Sequence, residues 1–206
     1  MARPDILKQV HARIETAAPG DIFIPADFSD LAESRKVSMC LSRLFEGGTL
    51  EKVKRGVYMK PRFSKLLDRP VPPREDTVAK AIARNYGWTI VPCGDTALNM
   101  LGLSTQIPAV WLYVSDGPYK TYEMDGSTFQ FKHTDRKNEL IGVSEITSLL
   151  IQALRALGRS NIDSKTIAYL SGKLDSDEKL QILKESKYIT AWIYEAIKAI
   201  CGGAES

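Results

Sequence analysis

Ile6, Leu7, Val10, Ile14 and Ala17 recur at three- and four-residue steps, the spacing of one apolar helix face, and Pro19-Gly20 ends the run. Ile22-Phe23-Ile24 reads as a short strand stopped by Pro25, and residues 26–31 as a short helix. Ser34 is placed to cap the next helix, whose interior stripe is Val37, Cys40, Leu41, Leu44 and Phe45, with Gly47-Gly48 as its stop. Residues 49–53 and 57–59 then read as two strands around Lys54-Arg55-Gly56, where Gly56 supplies the positive φ of a tight hairpin. Helix, short helix, helix and basic hairpin is the order of a winged helix-turn-helix.

Further along, Val78, Ala79, Ile82 and Ala83 form a helical face that stops at Gly87, and residues 88–91 read as a strand. Asp95 is placed to cap a helix carrying Ala97, Leu98 and Leu101, ended by Gly102. Residues 109–115 have the apolar density of a central strand, turned by Asp116-Gly117-Pro118. Residues 120–122 and 128–133 make a hairpin over Met124-Asp125-Gly126. Helices follow over 144–157, 163–170, 175–185 and 189–200, and Asp175 with Glu178 has capping-box spacing. The last helix carries an apolar stripe of Ile189, Trp192, Ile193, Ala196, Ile197 and Ile200, which fits packing within the domain or against another subunit equally well.

The expected class is therefore α+β: an N-terminal winged helix-turn-helix followed by a mixed α/β domain with a helical C-terminal tail. Pro70, Pro72 and Pro73 mark a stiff linker, so the domains are expected at 1–69 and 76–206. The 206 residues are 44% hydrophobic and 26% charged, which excludes a collagen-like or wholly disordered chain. A chain this long buries about 70% of its extended surface and needs neither disulfide nor metal to hold a core.

The net charge of +3 hides an asymmetry: residues 1–75 carry 14 basic and 10 acidic side chains, residues 76–206 carry 14 and 15. Lys52, Lys54, Arg55, Lys60, Arg62, Lys65, Arg69 and Arg74 stand against Asp68 alone, so a polyanion would dock here. Cys40, Cys93 and Cys201 have no zinc-like spacing and follow no secretory segment, so free thiols in a cytoplasmic protein are expected. Residues 96–115 are uncharged, but Asn99, Ser104, Thr105 and Gln106, with Gly102 and Pro108, argue against a membrane span.

If Val37, Leu41 and Leu44 face the core, Arg35, Ser38, Met39 and Ser42 face outward, flanked by Lys36 and Arg43, and Ser34 at the helix start is counted with them as a candidate DNA contact. Hydroxyls that bond bases or phosphates, a Met that packs on a thymine methyl and flanking cations suit a major groove. Lys52, Lys54 and Arg55 would lie on the wing, in reach of phosphates or the minor groove. Against this, Asp27, Asp30 and Glu33 lie near the turn before the helix and would repel DNA if they faced it.

Two other classes compete. One is a protein-interaction module whose winged helix is purely structural. The other is a degenerate metal-dependent nuclease, with Asp116 ending one strand and Gln130-Phe131-Lys132 on a later one. Asp-Gly-Pro is already explained as a turn, and Gln in place of an acid weakens a metal site, so the chain is expected to have no metal, cofactor or catalytic residue. His11 and His133 are too far apart for a triad, and His133 shares a strand face with Phe129 and Phe131, which suits a hydrogen-bonded, half-buried side chain. Trp111 reads as core, while Tyr119 and Tyr122 are more open to a partner.

Ile22-Phe23-Ile24-Pro25-Ala26-Asp27-Phe28, Ser42-Arg43-Leu44 and Arg55-Gly56-Val57-Tyr58 resemble the N-terminal domain of AbiEi-type antitoxins. In that family an aromatic-Pro-x-Asp-Phe stretch precedes the DNA-reading helix and Arg-Gly-hydrophobic-Tyr closes the wing. The blocks Ala83-Arg84-Asn85-Tyr86-Gly87-Trp88, residues 97–106, Ser115-Asp116-Gly117-Pro118, Phe131-Lys132-His133 and Gln152-Ala153-Leu154-Arg155 look like the same group. The resemblance is to a short bacterial subfamily of the abortive-infection antitoxins. It implies a DNA-binding autorepressor of a toxin-antitoxin or abortive-infection operon, bound to double-stranded DNA at its own operator, an inverted repeat. It also implies a nucleotidyltransferase-like toxin encoded nearby, neutralised through the C-terminal region.

Overall fold

In the computed structural model, residues 5–66, 68–124, 126–136 and 139–202 are described. Two units divide the chain, Met1–Trp88 and Thr89–Ser206. Together they form an α+β architecture, with a helix-strand-helix motif at the N terminus and a helical stretch at the C terminus.

Helix α1 (Ile6–Thr16) starts where the Asp5 side chain accepts from the Lys8 N–H at 3.4 Å, and buries Val10 and Ile14. Strand β1 (Ile22–Phe23), a 3-10 turn (Pro25–Phe28), α2 (Ser34–Glu46), β2 (Glu51–Lys54) and β3 (Val57–Met59) follow. The sheet order is β1-β3-β2, antiparallel throughout, with Phe23 opposite Tyr58 and Lys52 opposite Tyr58 from the other side. Arg55 and Gly56 make the loop between β2 and β3, and Gly56 sits at φ +79°, which any side chain would strain. Val10, Ile14, Phe23, Phe28, Val37, Leu41, Leu44, Leu50 and Tyr58 form one core.

Three local expectations are corrected here. The short helix expected over 26–31 is present as a 3-10 helix over Pro25–Phe28, shorter and one residue earlier, where the Asp27 carboxylate takes the Ile24 N–H at 2.9 Å and closes the turn on itself. Ser34 does not cap α2: Glu33 holds the cap position without a side-chain bond, and Ser34 is already helical, its carbonyl accepting from Ser38 Oγ at 2.8 Å. Strand β2 begins at Glu51 rather than Thr49, because the Thr49 and Leu50 N–H groups turn back to the Leu44 carbonyl at 2.9 and 3.3 Å.

The proline-rich stretch lies inside the first unit rather than between units. Arg69–Pro70 is a strand, β5, paired with β4 (Phe63–Ser64), and helix α3 (Glu75–Tyr86) completes the unit up to its left-handed stop at Gly87. Pro at position 70 is tolerated because a two-residue edge strand need not donate from every residue. Besides its buried Val78, Ala79, Ala81, Ile82 and Ala83, α3 is tied to the first unit by Arg84, which donates to both Asp27 carboxylate oxygens at 3.2 and 3.1 Å and to the Ile22 carbonyl at 3.3 Å.

The second unit has a four-stranded sheet of order β6-β7-β9-β8, built from Ile90–Pro92, Val110–Ser115, Ser127–His133 and Lys120–Met124 respectively. Strand β7 is internal, as its apolar density predicts, and pairs in parallel with β9; the other two pairings are antiparallel. Asp125, read as part of the hairpin turn, lies outside the described residues. Helix α4 (Gly94–Met100) is capped at Cys93 rather than Asp95, since Gly94 already opens the helix.

Helices α5 (Glu145–Leu157), α6 (Ser164–Lys173), α7 (Ser176–Glu185) and α8 (Ala191–Gly202) bear out the predicted tail, including the Asp175–Glu178 capping box. Ile193, Ile197 and Ile200 are buried with Leu150, Ile151, Leu154, Leu170 and Ile182, so the stripe of α8 is spent within the unit. Tyr169 fastens α6 to the end of α4 by donating to the Gly102 carbonyl at 3.0 Å. Glu139 is buried and paired with Arg155 at 2.6 Å and with Gln152 at 3.2 Å. No helix among the described residues is long and apolar enough to cross a membrane.

Glu185, at the end of α7, holds the start of α5. Its carboxylate accepts from Thr147 Oγ1, Ser144 Oγ and the Ser144 N–H at 2.6, 2.7 and 2.9 Å, and from Gln181 at 3.0 Å. Burial pushes this carboxyl up, but the hydrogen bonds from Thr147, Ser144 and Gln181 together outweigh it and hold its pKa at about 2. The folded pKa lies below the ordinary value of 4.5, so the stabilisation is complete above that value and is lost as pH falls toward 2. Glu185→Gln should therefore cost about 1 kcal/mol at neutral pH. The gap to the parent should close as urea unfolding is repeated at successively lower pH.

Candidate nucleic-acid interface

Helix α2 buries Val37, Cys40, Leu41 and Leu44, which turns the remaining residues to solvent as their spacing predicts. Ser34, Arg35, Lys36 and Arg43 are exposed, and Met39 is 54% exposed. Ser38 and Ser42 are only half-buried, but both hydroxyls are engaged within the helix, Ser38 on the Ser34 carbonyl at 2.8 Å and Ser42 on Glu46 at 3.3 Å. Each keeps lone pairs to accept with, and an incoming ligand must redirect the proton.

The hairpin is fastened to the end of this helix. The Phe45 ring packs on Tyr58 with centroids 6.3 Å apart, and Lys52 Nζ lies 5.9 Å over the Phe45 ring. Phe45 is thus a partly exposed platform at the helix end, not an interior residue. Lys52 and Arg55 are exposed and Lys54 is half-buried, and the Phe45 contact places Lys52 beside the end of α2. Among these cations, Lys54 alone is part-covered.

Two of the three acids that threatened this surface are neutralised. Asp30 is held by Arg13 at 2.9 and 2.5 Å, and the hydrogen bond from Arg13 keeps its carboxyl below the usual range. Asp27 is taken by Arg84 and by the Ile24 N–H. Glu33 stays exposed at the start of α2. Arg13 and Arg84 were invisible as partners in the sequence, since they lie 17 and 57 residues from the acids they meet.

The basic run after the hairpin divides by role. Lys60 is structural: its ammonium donates to the Glu15 and Ala17 carbonyls at 2.7 and 2.9 Å, satisfying the end of α1. Arg74 pairs with Asp76 at 3.3 Å. Arg62, Lys65 and Arg69 remain on the β4–β5 ribbon, an element that the proline pattern concealed.

Of the residues in the nuclease alternative, Gln130 is not brought to Asp116. Asp116 accepts from the Thr89 N–H at 2.8 Å, a turn contact, and Gln130 lies opposite Leu112. Asp116 lies four residue steps beyond Leu112, about 13 Å at the usual rise. Among the described residues no three His, Cys, Asp or Glu side chains are grouped to hold a metal. His133 is hydrogen-bonded as expected, to the Gly117 carbonyl at 2.9 Å and Asp135 at 3.2 Å, but it is exposed rather than half-buried, being the last residue of its strand. Tyr119 is exposed, but Tyr122 is half-buried and meets Phe131 edge-on at 5.9 Å, so only the first is open. Trp111 is half-buried.

The fold and this surface define an α+β protein whose N-terminal helix-strand-helix motif presents a cationic helix and hairpin. The chain belongs to a family of unknown function, DUF6088, whose model matches residues 9–182. No curated protein matches it.

All three cysteines are free, and burial pushes the Cys93 thiol up to about 11. Native protein at mildly alkaline pH should therefore leave Cys93 unmodified by a thiol reagent, and denaturation should expose it. Mass spectrometry of the labelled peptides checks this; rapid native labelling of Cys93 would contradict its burial.

Proposed function

We propose that the chain is a DNA-binding transcriptional autorepressor that doubles as the antitoxin of a bacterial toxin-antitoxin or abortive-infection operon. In this reading residues 5–59 are a winged helix-turn-helix, α2 is the helix that enters the major groove, and β2–β3 is the wing. Arg35, Lys36, Arg43, Lys52, Lys54 and Arg55 position the duplex through its phosphates, while Ser38, Met39 and Ser42 face base edges. The observation that carries the reading is the fastening of a basic hairpin to the end of α2 through Lys52 on Phe45, beside acids already consumed by Arg13 and Arg84.

The second unit is assigned to the toxin, a nucleotidyltransferase-like protein encoded nearby. Its charge is near neutral, and Tyr119 stands exposed on it, which suits a protein partner better than a polyanion. The chain acts in the cytoplasm without cofactor, and no residue of it is catalytic in this reading.

A gel-shift titration of the full chain against the duplex upstream of its own coding sequence tests the proposal. Lys54→Ala with Arg55→Ala should weaken binding by a similar factor across operator variants and flatten the salt dependence by about 0.9 per lost phosphate contact. Ser38→Ala or Ser42→Ala should instead change discrimination among operator variants while the melting temperature stays near that of the parent. Equal affinity and salt slope in the hairpin variant would remove the wing assignment. Unchanged discrimination in both serine variants would move base reading to another element.

A further inference from the structure

Only Lys60 and Pro61 separate β3 from Arg62 and the β4–β5 ribbon. In the ribbon Phe63 lies opposite Pro70 and Ser64 opposite Arg69, and the Val71 N–H closes its base on the Arg62 carbonyl at 2.8 Å. Its side chains have a composition that folding does not explain. Leu66 is 93% exposed and Phe63 59% exposed, neither contributing to a core. Arg62, Lys65 and Arg69 are exposed, and among the described residues none of the three has an ion-pair or hydrogen-bond partner for its side chain. Asp68 is the single acid between Arg62 and Pro70, in a left-handed conformation at φ 47°.

Solvated Leu and Phe side chains contribute nothing to stability, and a two-stranded ribbon is marginal by itself. Uncompensated cations interleaved with exposed apolar side chains are, however, the combination that DNA-bending proteins bring to a narrow groove. The cations take phosphates, and the apolar group wedges against a partly unstacked base step.

We propose that the β4–β5 ribbon is a second DNA-contacting arm. Arg62, Lys65 and Arg69 meet phosphates, and Leu66 with Phe63 presses on a base step in the minor groove. The proposal rests on the DNA-binding reading above and extends it to an element beyond the helix and wing. An anionic lipid surface would attract the same side chains. DNA is favoured because only the three residues of β3, with Lys60 and Pro61, separate the ribbon from the hairpin that carries Lys52 and Arg55, the cations already assigned to the duplex.

The test uses the full chain, the duplex upstream of its own coding sequence, a scrambled duplex and phosphatidylglycerol vesicles. Arg62→Ala with Lys65→Ala and Arg69→Ala should weaken binding to both duplexes and flatten the salt slope by about 2.7, or about 0.9 per contact. Lys65→Gln alone, in the exposed loop, should flatten it by about 0.9 and guards against melting of the ribbon. Leu66→Ser with Phe63→Ser should keep the slope and reduce the DNA bend read by fluorescence transfer between the duplex ends. Unchanged slope and bend, in a chain whose Lys54→Ala/Arg55→Ala variant is weakened, overturns the ribbon and leaves the wing. Failure of the parent to bind either duplex overturns both. Vesicle binding that the ribbon variants lose, with DNA binding intact, overturns the proposal in favour of a membrane contact.

Discussion

The Asp27 carboxylate accepts from the Ile24 N–H and from two nitrogens of Arg84, while its own backbone carbonyl accepts from Arg13. Strand β1 has two residues and the turn after it four, so these elements cannot satisfy their own ends. Asp27 does it for them, and in doing so draws α3 and α1 onto the same turn. Lys60, just after β3, closes α1 in the same manner, and Glu185 does so for α5 in the second unit. Short elements thus depend on long-range side chains for their hydrogen bonds. The cost of losing one is larger than a surface ion pair suggests, because a backbone group is stranded with it.

That constraint also shapes the candidate interface. The arginines that hold the turn before α2 are the ones that neutralise its acids, so structure and surface charge come from the same bonds. The basic run, by contrast, is partly spent on folding: Lys60 and Arg74 have structural partners, and the hairpin and ribbon keep the rest. Counting lysines and arginines along the chain overstated the charge available in one place and hid its division between two β elements.

Elements with a strong period were legible in the sequence. The helices α1, α2, α3, α5, α7 and α8 and the strands β7 and β9 lie within a few residues of their expected places, because each buries an apolar stripe that only one period can produce. The exposed face of α2 follows from the same arithmetic. Short, polar elements were not legible. The β4–β5 ribbon carries no period, and it is decided by pairing between residues the proline pattern set apart. Prolines around position 70 read as a linker for the same reason: a two-residue strand leaves no pattern.

By itself the sequence determined the α+β class, the helix-strand-helix order at its start, the helical tail and the concentration of cations after Glu51, since each rests on local periodicity or composition. Tertiary structure alone decided that α3 belongs to the first unit, that the α8 stripe is buried within its own unit, and that Asp27 and Asp30 are paired. It decided, too, that Lys52 lies over Phe45. Those outcomes turn on which side chains meet across tens of residues, and a meeting of that kind leaves no trace in spacing.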